Sequence, residues 1–230
     1  MVSHAYRQAG GKKQPILQKF RITSMKKLPA SFYQRENVIE IAEELLGKVL
    51  VTKWNGVVTS GRIVEVEAYN GVIDKASHAF GGRRTKRNEI MYADGGVAYV
   101  YLCYGIHHLF NVVTNSKEAP HAILIRALEP VKGIDTMLQR VGKKNPDSYR
   151  ENNILTRGPG NLSKALGLLT KHSGFSLRSK GLFIADDGFV LSKKDIAASP
   201  RIGVDYAGDD ALLHYRFFVK GSPYVSGKSK

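Results

Sequence analysis

Between residues 38 and 46 the apolar side chains Val38, Ile39, Ile41, Ala42, Leu45 and Leu46 recur at a spacing that gathers them on one side of a helix. Asn37 stands where a side-chain cap belongs, Glu40 follows three residues later, and Gly47 ends the stripe. Beyond Gly47 the period drops to two. Val49–Trp54 and Val57–Tyr69 read as strands around Asn55-Gly56, the dipeptide best suited to a two-residue hairpin turn. Alternation along Arg62–Tyr69 sends Val64, Val66 and Ala68 to one face and Ile63, Glu65, Glu67 and Tyr69 to the other. With the first face on the core, both carboxylates share a groove or point into solvent. Glutamates on a strand's outer face are commonly just solvated, so this strand alone assigns them no chemistry.

A second hairpin follows. Val97–Cys103 is β-branched and aromatic, Asp94-Gly95-Gly96 turns into it, and Tyr104-Gly105 turns out of it toward a strand at Leu109–Val113. Tyr104 then sits at a hairpin tip, either as a wedge that enters a base stack or folded back on the sheet. Arg126 interrupts the apolar strand Ala122–Leu128, where a guanidinium is costly unless paired. Glu129 is its candidate structural partner and Glu67 its candidate functional one. His78 is a loop histidine that acts in chemistry or merely decorates the surface, and His107-His108 point to opposite faces of a strand, a poor metal site. These elements predict a mixed α/β (α+β) fold: one domain with a curved, largely antiparallel sheet flanked by helices, spanning residues 25–230 behind a flexible basic arm at 1–24.

Composition narrows the reading. A chain of 230 residues, 43% hydrophobic, closes one substantial core. No apolar run approaches the roughly 18 to 20 residues of a membrane helix, so a soluble protein away from membranes is expected. The single Cys103 excludes an intrachain disulfide and a multi-thiolate zinc site. The formal charge is +15, and residues 1–35 hold eight Lys or Arg with no acid, leaving +7 on the remainder. The arm also has the composition of an organelle transit peptide, and Met25 is a possible alternative start. A basic body with Arg83, Arg84, Lys86 and Arg87 beside Tyr99, Tyr101 and Tyr104 fits a polyanion, with cations for phosphates and aromatic faces for unstacked bases. An enzyme acting on a nucleic-acid base suits this set. Two rivals remain: a carbohydrate hydrolase, since Glu65 and Glu67 lie about 7 Å apart along a strand, and a binding module that stacks single-stranded bases.

Longer motifs carry a resemblance. Gly61–Tyr69 (Gly-Arg-Ile-Val-Glu-Val-Glu-Ala-Tyr), His78–Asn88, Tyr99–Gly105 (Tyr-Val-Tyr-Leu-Cys-Tyr-Gly), Leu124–Pro130, Gly158–Leu162, Arg201–Val204 and Phe217–Val225 together resemble, in order, the alkyladenine (3-methyladenine) DNA glycosylase family, from about Leu28 nearly to the C-terminus. The resemblance implies base-excision repair of alkylated or deaminated purines flipped out of double-stranded DNA, by a monofunctional, monomeric enzyme with no cofactor and no metal. It places the protein in the cytoplasm at the nucleoid if bacterial and in the nucleus if eukaryotic. Glu67 matches the base that activates water, with Arg126 and the backbone carbonyl of Ile202 holding that water. Tyr69, His78 and Tyr101 match the walls around the flipped base, and Asn111 the position that disfavours guanine. Tyr104 matches the residue filling the vacated stack, and Arg83, Thr85 and Arg87 lie where the family approaches the DNA backbone. Ile106 and the loops Gly142–Asn153 and Leu177–Ser199 follow no pattern that carries over.

Overall fold

A computed structural model describes residues 25–142 and 153–227, and the backbone of two short antiparallel strands, β1 (Arg7–Ala9) and β2 (Lys12–Gln14). The rest of the expected basic arm and most of the loop after Gly142 lie outside the described residues. After β3 (Lys26–Lys27) and the short helix α1 (Ala30–Tyr33) comes α2 (Val38–Leu45). Its start follows from Asn37, whose side chain accepts from the amides of Ile39 and Glu40 at 3.0 and 3.3 Å, and Gly47 leaves the helix at φ 83°. Val38, Ile41, Ala42 and Leu45 are buried; each large one contributes about 1.5–3 kcal/mol by leaving water.

β4 (Val49–Trp54) and β5 (Val57–Tyr69) meet at Asn55-Gly56, both at positive φ as the tight turn requires. β6 (Ala98–Cys103), β7 (His107–Thr114) and β8 (His121–Lys132) follow, then helices α3 (Ile134–Val141) and α4 (Pro159–Leu166), and strands β9 (Leu182–Asp186), β10 (Ile196–Ser199) and β11 (Arg216–Val219). The sheet runs β3-β9-β4-β5-β8-β7-β6 with every pairing antiparallel. β5 is long enough to hold two neighbours on one edge, β4 along residues 57–62 and then β11 along 65–67, while β8 occupies the other edge.

One face of this sheet carries the main core. Ile63, Val66, Ala68, Ala98, Val100, Phe110, Val112, Ile123 and Ile125 pack there with residues of α2, α3 and α4. The opposite face receives the alternate residues, and register lines them up: Tyr99 on β6 opposes Asn111 on β7, Asn111 opposes Leu124 on β8, Leu124 opposes Glu67 on β5, and Glu67 opposes Arg216 on β11. Directly opposed residues share a face, so five strands meet in one row, to which four of them deliver a polar side chain and β8 delivers Leu124. Strict alternation fails at one place. Ile63 joins the main core and Val64 a small cluster on the other side, with Ala127, Val219 and Tyr224, because the β5–β8 register shifts on both sides of Glu65. This bulge turns one residue pair over while leaving Glu65 and Glu67 on the face expected for them.

Candidate active site

Both glutamates are completely buried, so neither is a solvated decoration. Glu67 accepts from the backbone amide of Ile202 at 2.7 Å and from the Tyr69 hydroxyl at 3.0 Å, and its Oε2 lies 3.2 Å from Nη1 of Arg126. A carboxylate offers about four acceptor positions; three donors leave one for a water. Glu65 is different. Its Oε1 accepts from Arg126 Nε (2.9 Å), Arg216 Nε (2.7 Å) and Ser226 Oγ (2.9 Å), and its Oε2 from the Ser226 amide (2.6 Å). Four donors fill it. A paired acid and base on Glu65 and Glu67, the arrangement a carbohydrate hydrolase needs, is therefore not what this strand builds. Arg126 pairs with these two carboxylates and not with Glu129; both are charged partners a buried guanidinium requires, and they raise its pKa against the opposing effect of burial.

The segment bearing Ile202 is held by its neighbour. Arg201 is buried, forms a two-pronged ion pair with Asp74, donates to the Ala68 carbonyl at 3.0 Å and lies 4.9 Å from the centre of the Tyr69 ring. A fork fixed at several points sets the backbone that follows it, and the next amide is the one on Glu67.

Tyr69 also walls a pocket lined by His78, Tyr99, Tyr101, Asn111 and Tyr206. Burial, together with the Glu67 charge, pushes the Tyr69 phenol well above its ordinary pKa, so its O–H stays a donor. His78 meets Tyr101 edge-on at 4.7 Å, and Tyr99 and Tyr101 tilt against each other at 5.4 Å. Burial, helped by Arg87 and Arg83, pushes His78 down to about 4. The ring is then neutral near pH 7. Arg87 Nη2 lies 3.1 Å from its Nε2 and can only donate, which assigns the proton to Nδ1, 2.9 Å from the Tyr99 hydroxyl. Asn111 commits its amide N–H groups to the carbonyls of Tyr99 and Leu109, leaving Oδ1 as the atom it can offer.

The residues expected along DNA divide. Tyr104 is 90% exposed at the tip of the β6–β7 hairpin, at φ 49° with Gly105 at 72°, so it is not folded back on the sheet. Arg87 is exposed but its guanidinium lies 4.9 Å over the Tyr101 ring and 3.1 Å from His78 Nε2, against two residues of the pocket wall. Thr85 bonds Asn88 in a turn that also ties Asn88 to the carbonyls of His78 and Arg83. Arg84 is neutralised by Glu89 and Glu118, whereas Arg83 remains an exposed cation within electrostatic reach of His78. The resemblance implied a role for the Ile202 carbonyl, whereas Ile202 meets Glu67 through its amide, a donor that no residue type discloses. Tyr99 was signalled by sharing the parity of Tyr101; Tyr206, whose hydroxyl bonds the Ala76 carbonyl at 3.1 Å, had no local signal. His107 is exposed, and His108 accepts from the Thr170 amide.

Comparison with known proteins gives the chain a family. A sequence model of the family described as Methylpurine-DNA glycosylase (MPG) matches residues 31–223. A protein of Bacillus cereus (strain G9842), named "Putative 3-methyladenine DNA glycosylase", is 48% identical over 204 residues, covering 87% of this chain and 98% of its own length. Proteins of the same name from Bacillus anthracis (strain CDC 684 / NRRL 3495) and Chlamydia felis (strain Fe/C-56) are each 46% identical, covering 87% and 84% of this chain and 98% and 95% of their own lengths.

Proposed function

This chain belongs to the methylpurine-DNA glycosylase family, DNA-repair hydrolases of N-glycosyl bonds, and on that premise we propose that it flips alkylated or deaminated purines from duplex DNA and releases them with a water activated by Glu67. The observation that carries this reading is the single acceptor position left on a buried carboxylate beside an aromatic pocket. Glu67 takes a proton from the water as its oxygen bonds C1′ of the deoxyribose. The electron pair of the N-glycosidic bond leaves with the base, and the products are a free purine and an abasic site. The pocket-lining residues include no lysine, so the reading is hydrolysis without a Schiff-base intermediate.

Reaching the bond requires extruding the nucleotide, at a cost of a few kcal/mol that is lowest at damaged or mismatched pairs. Tyr104 at its exposed tip fills the space left in the stack, Arg83 and Thr85 meet the backbone, and Asn111 crowds the exocyclic amine of guanine. The base enters beside Tyr69 against the Tyr101–His78 wall, with Arg87 moving aside. A purine carrying positive charge is drawn to such rings and leaves without protonation. With His78 neutral near pH 7, a neutral lesion finds no ready acid there, so 3-methyladenine and 7-methylguanine rank ahead of hypoxanthine and ethenoadenine. The test is base release in single turnover from duplexes carrying each of the four, beside an oligosaccharide panel. Release from none of the duplexes, with DNA merely retained, would overturn the proposal.

A further inference from the structure

Glu65 is a buried charge that the proposed reaction leaves unused. Burying an ion costs several kcal/mol unless it is matched, and here the matching is closed: two carboxylates, Glu65 and Glu67, face two guanidiniums, Arg126 and Arg216, all buried. The bonds of Arg126 are divided among its nitrogens. Nε goes to Glu65 at 2.9 Å and Nη2 to Ser226 Oγ at 3.1 Å, leaving Nη1 for Glu67 at 3.2 Å. A guanidinium is planar and rigid, so fixing two nitrogens aims the third. Ser226 joins the set through three atoms: its amide and hydroxyl reach Glu65, and its carbonyl accepts from Arg216 Nη2 at 2.7 Å. It lies past the segment matched to the family, which ends at residue 223.

We infer that Glu65 and Ser226 are positioning residues: together they aim Arg126 Nη1 at Glu67, so that the water-activating carboxylate keeps one acceptor position open and pointed at the sugar. The inference rests on Glu67 being the general base proposed above. Neither residue touches substrate. Their effect on rate passes through Arg126, which separates this role from that of an ion-pair staple holding β11 to β5.

The experiment is single-turnover excision from a 7-methylguanine duplex with the full chain in excess, each rate corrected for active fraction by titration with an uncleavable lesion analogue. Glu65→Gln should lower the rate about 10- to 100-fold while lesion-duplex affinity stays within about 3-fold, since misaiming by an ångström costs rate more than binding. Because that variant strands two buried arginines and can fail to fold, Ser226→Ala is the second arm. It keeps the backbone bonds, and its rate should fall about 3- to 10-fold. In an Arg126→Gln background, Ser226→Ala should change the rate less than about 2-fold, because nothing remains to be aimed. The inference is overturned if Ser226→Ala lowers only the melting temperature, or if its rate loss persists undiminished beside Arg126→Gln. Wild-type protein that excises while Glu67→Gln also excises would instead remove the general-base reading, and this inference with it.

Discussion

His78 and His172 both lie against aromatic rings, and burial lowers the pKa of both. His172 stacks flat on Trp54 at 4.3 Å with Phe175 edge-on, and His78 meets Tyr101 and Tyr99 edge-on. What differs is where the polar atoms go. Trp54 Nε1 donates to the Leu166 carbonyl and His172 Nδ1 accepts from the Leu169 amide, so that cluster spends its bonding on neighbouring main chain. In the His78 cluster the bonds run from side chain to side chain, through Tyr99 and Arg87, and the adjoining Tyr69 hydroxyl ends on Glu67. Rings around a histidine are ordinary packing; a pocket wall that leads to an incompletely satisfied carboxylate is what carries the proposed site.

The largest effect should come from cutting the feature that the His172 cluster lacks. Glu67→Gln keeps size and hydrogen-bonding capacity and removes the proposed base, so single-turnover excision should fall by roughly two or more orders of magnitude with lesion binding retained. Near wild-type excision would leave the two clusters chemically equivalent. The complementary cut is Trp54→Ala. It should cost about 2–4 kcal/mol of stability through lost packing, seen in denaturant unfolding, with excision per folded molecule within about 2-fold. A loss of rate at unchanged stability would break the comparison from the other side.

Much of this was legible in the chain, for reasons that are local. β4 and β5 were bounded correctly because alternation and Asn55-Gly56 both act over a few residues, and Asn37 and Gly47 delimit α2 in the same way. The shared parity of Glu65 and Glu67 put both on one face, as the strand has them. Register was not legible. The row from Tyr99 to Arg216 depends on four strand pairings, and the bulge that exchanges Ile63 and Val64 exists only against β8. Glu65 looked like a possible partner in catalysis because its four donors come from Arg126, Arg216 and Ser226, far along the chain. The Ile202 amide was invisible for a different reason: a backbone N–H belongs to every residue but proline, and only the anchoring of Arg201 selects this one.

The two hairpin tips sharpen the contrast between scaffold and site at smaller scale. Asn55-Gly56 and Tyr104-Gly105 both turn at positive φ, a region where asparagine is tolerated and a bulky residue is strained. Tyr104→Asn should therefore leave stability unchanged or raise it by about 0.5–1 kcal/mol. The same change removes the proposed wedge, so the flipped fraction, read with a fluorescent base analogue, should fall about 10-fold. A destabilised variant with normal flipping would make this tip scaffold like the other.

The smallest effect concerns protons. His78, with an ordinary value of 6.5, is pushed down to about 4 in the folded protein, so between these values the unfolded chain binds a proton that the folded chain refuses. Its contribution to stability is present above pH 6.5, declines as pH falls through that window, and stops changing below about 4. His78→Gln removes this histidine from both states. The stability lost between pH 7.5 and pH 5 should then be smaller than in wild type by about 1 kcal/mol, after allowing for solvent around a half-buried ring. His172→Gln should also flatten the curve, since burial lowers that group too. Function separates them. Once His78 is protonated, a cation stands in the wall meant for a cationic base, so affinity for a 7-methylguanine duplex should drop as pH approaches 4 in wild type and in His172→Gln, and less in His78→Gln. Equal pH dependence in all three would show that the proton on His78 never reaches the substrate, and that its cluster differs from that of His172 in position alone.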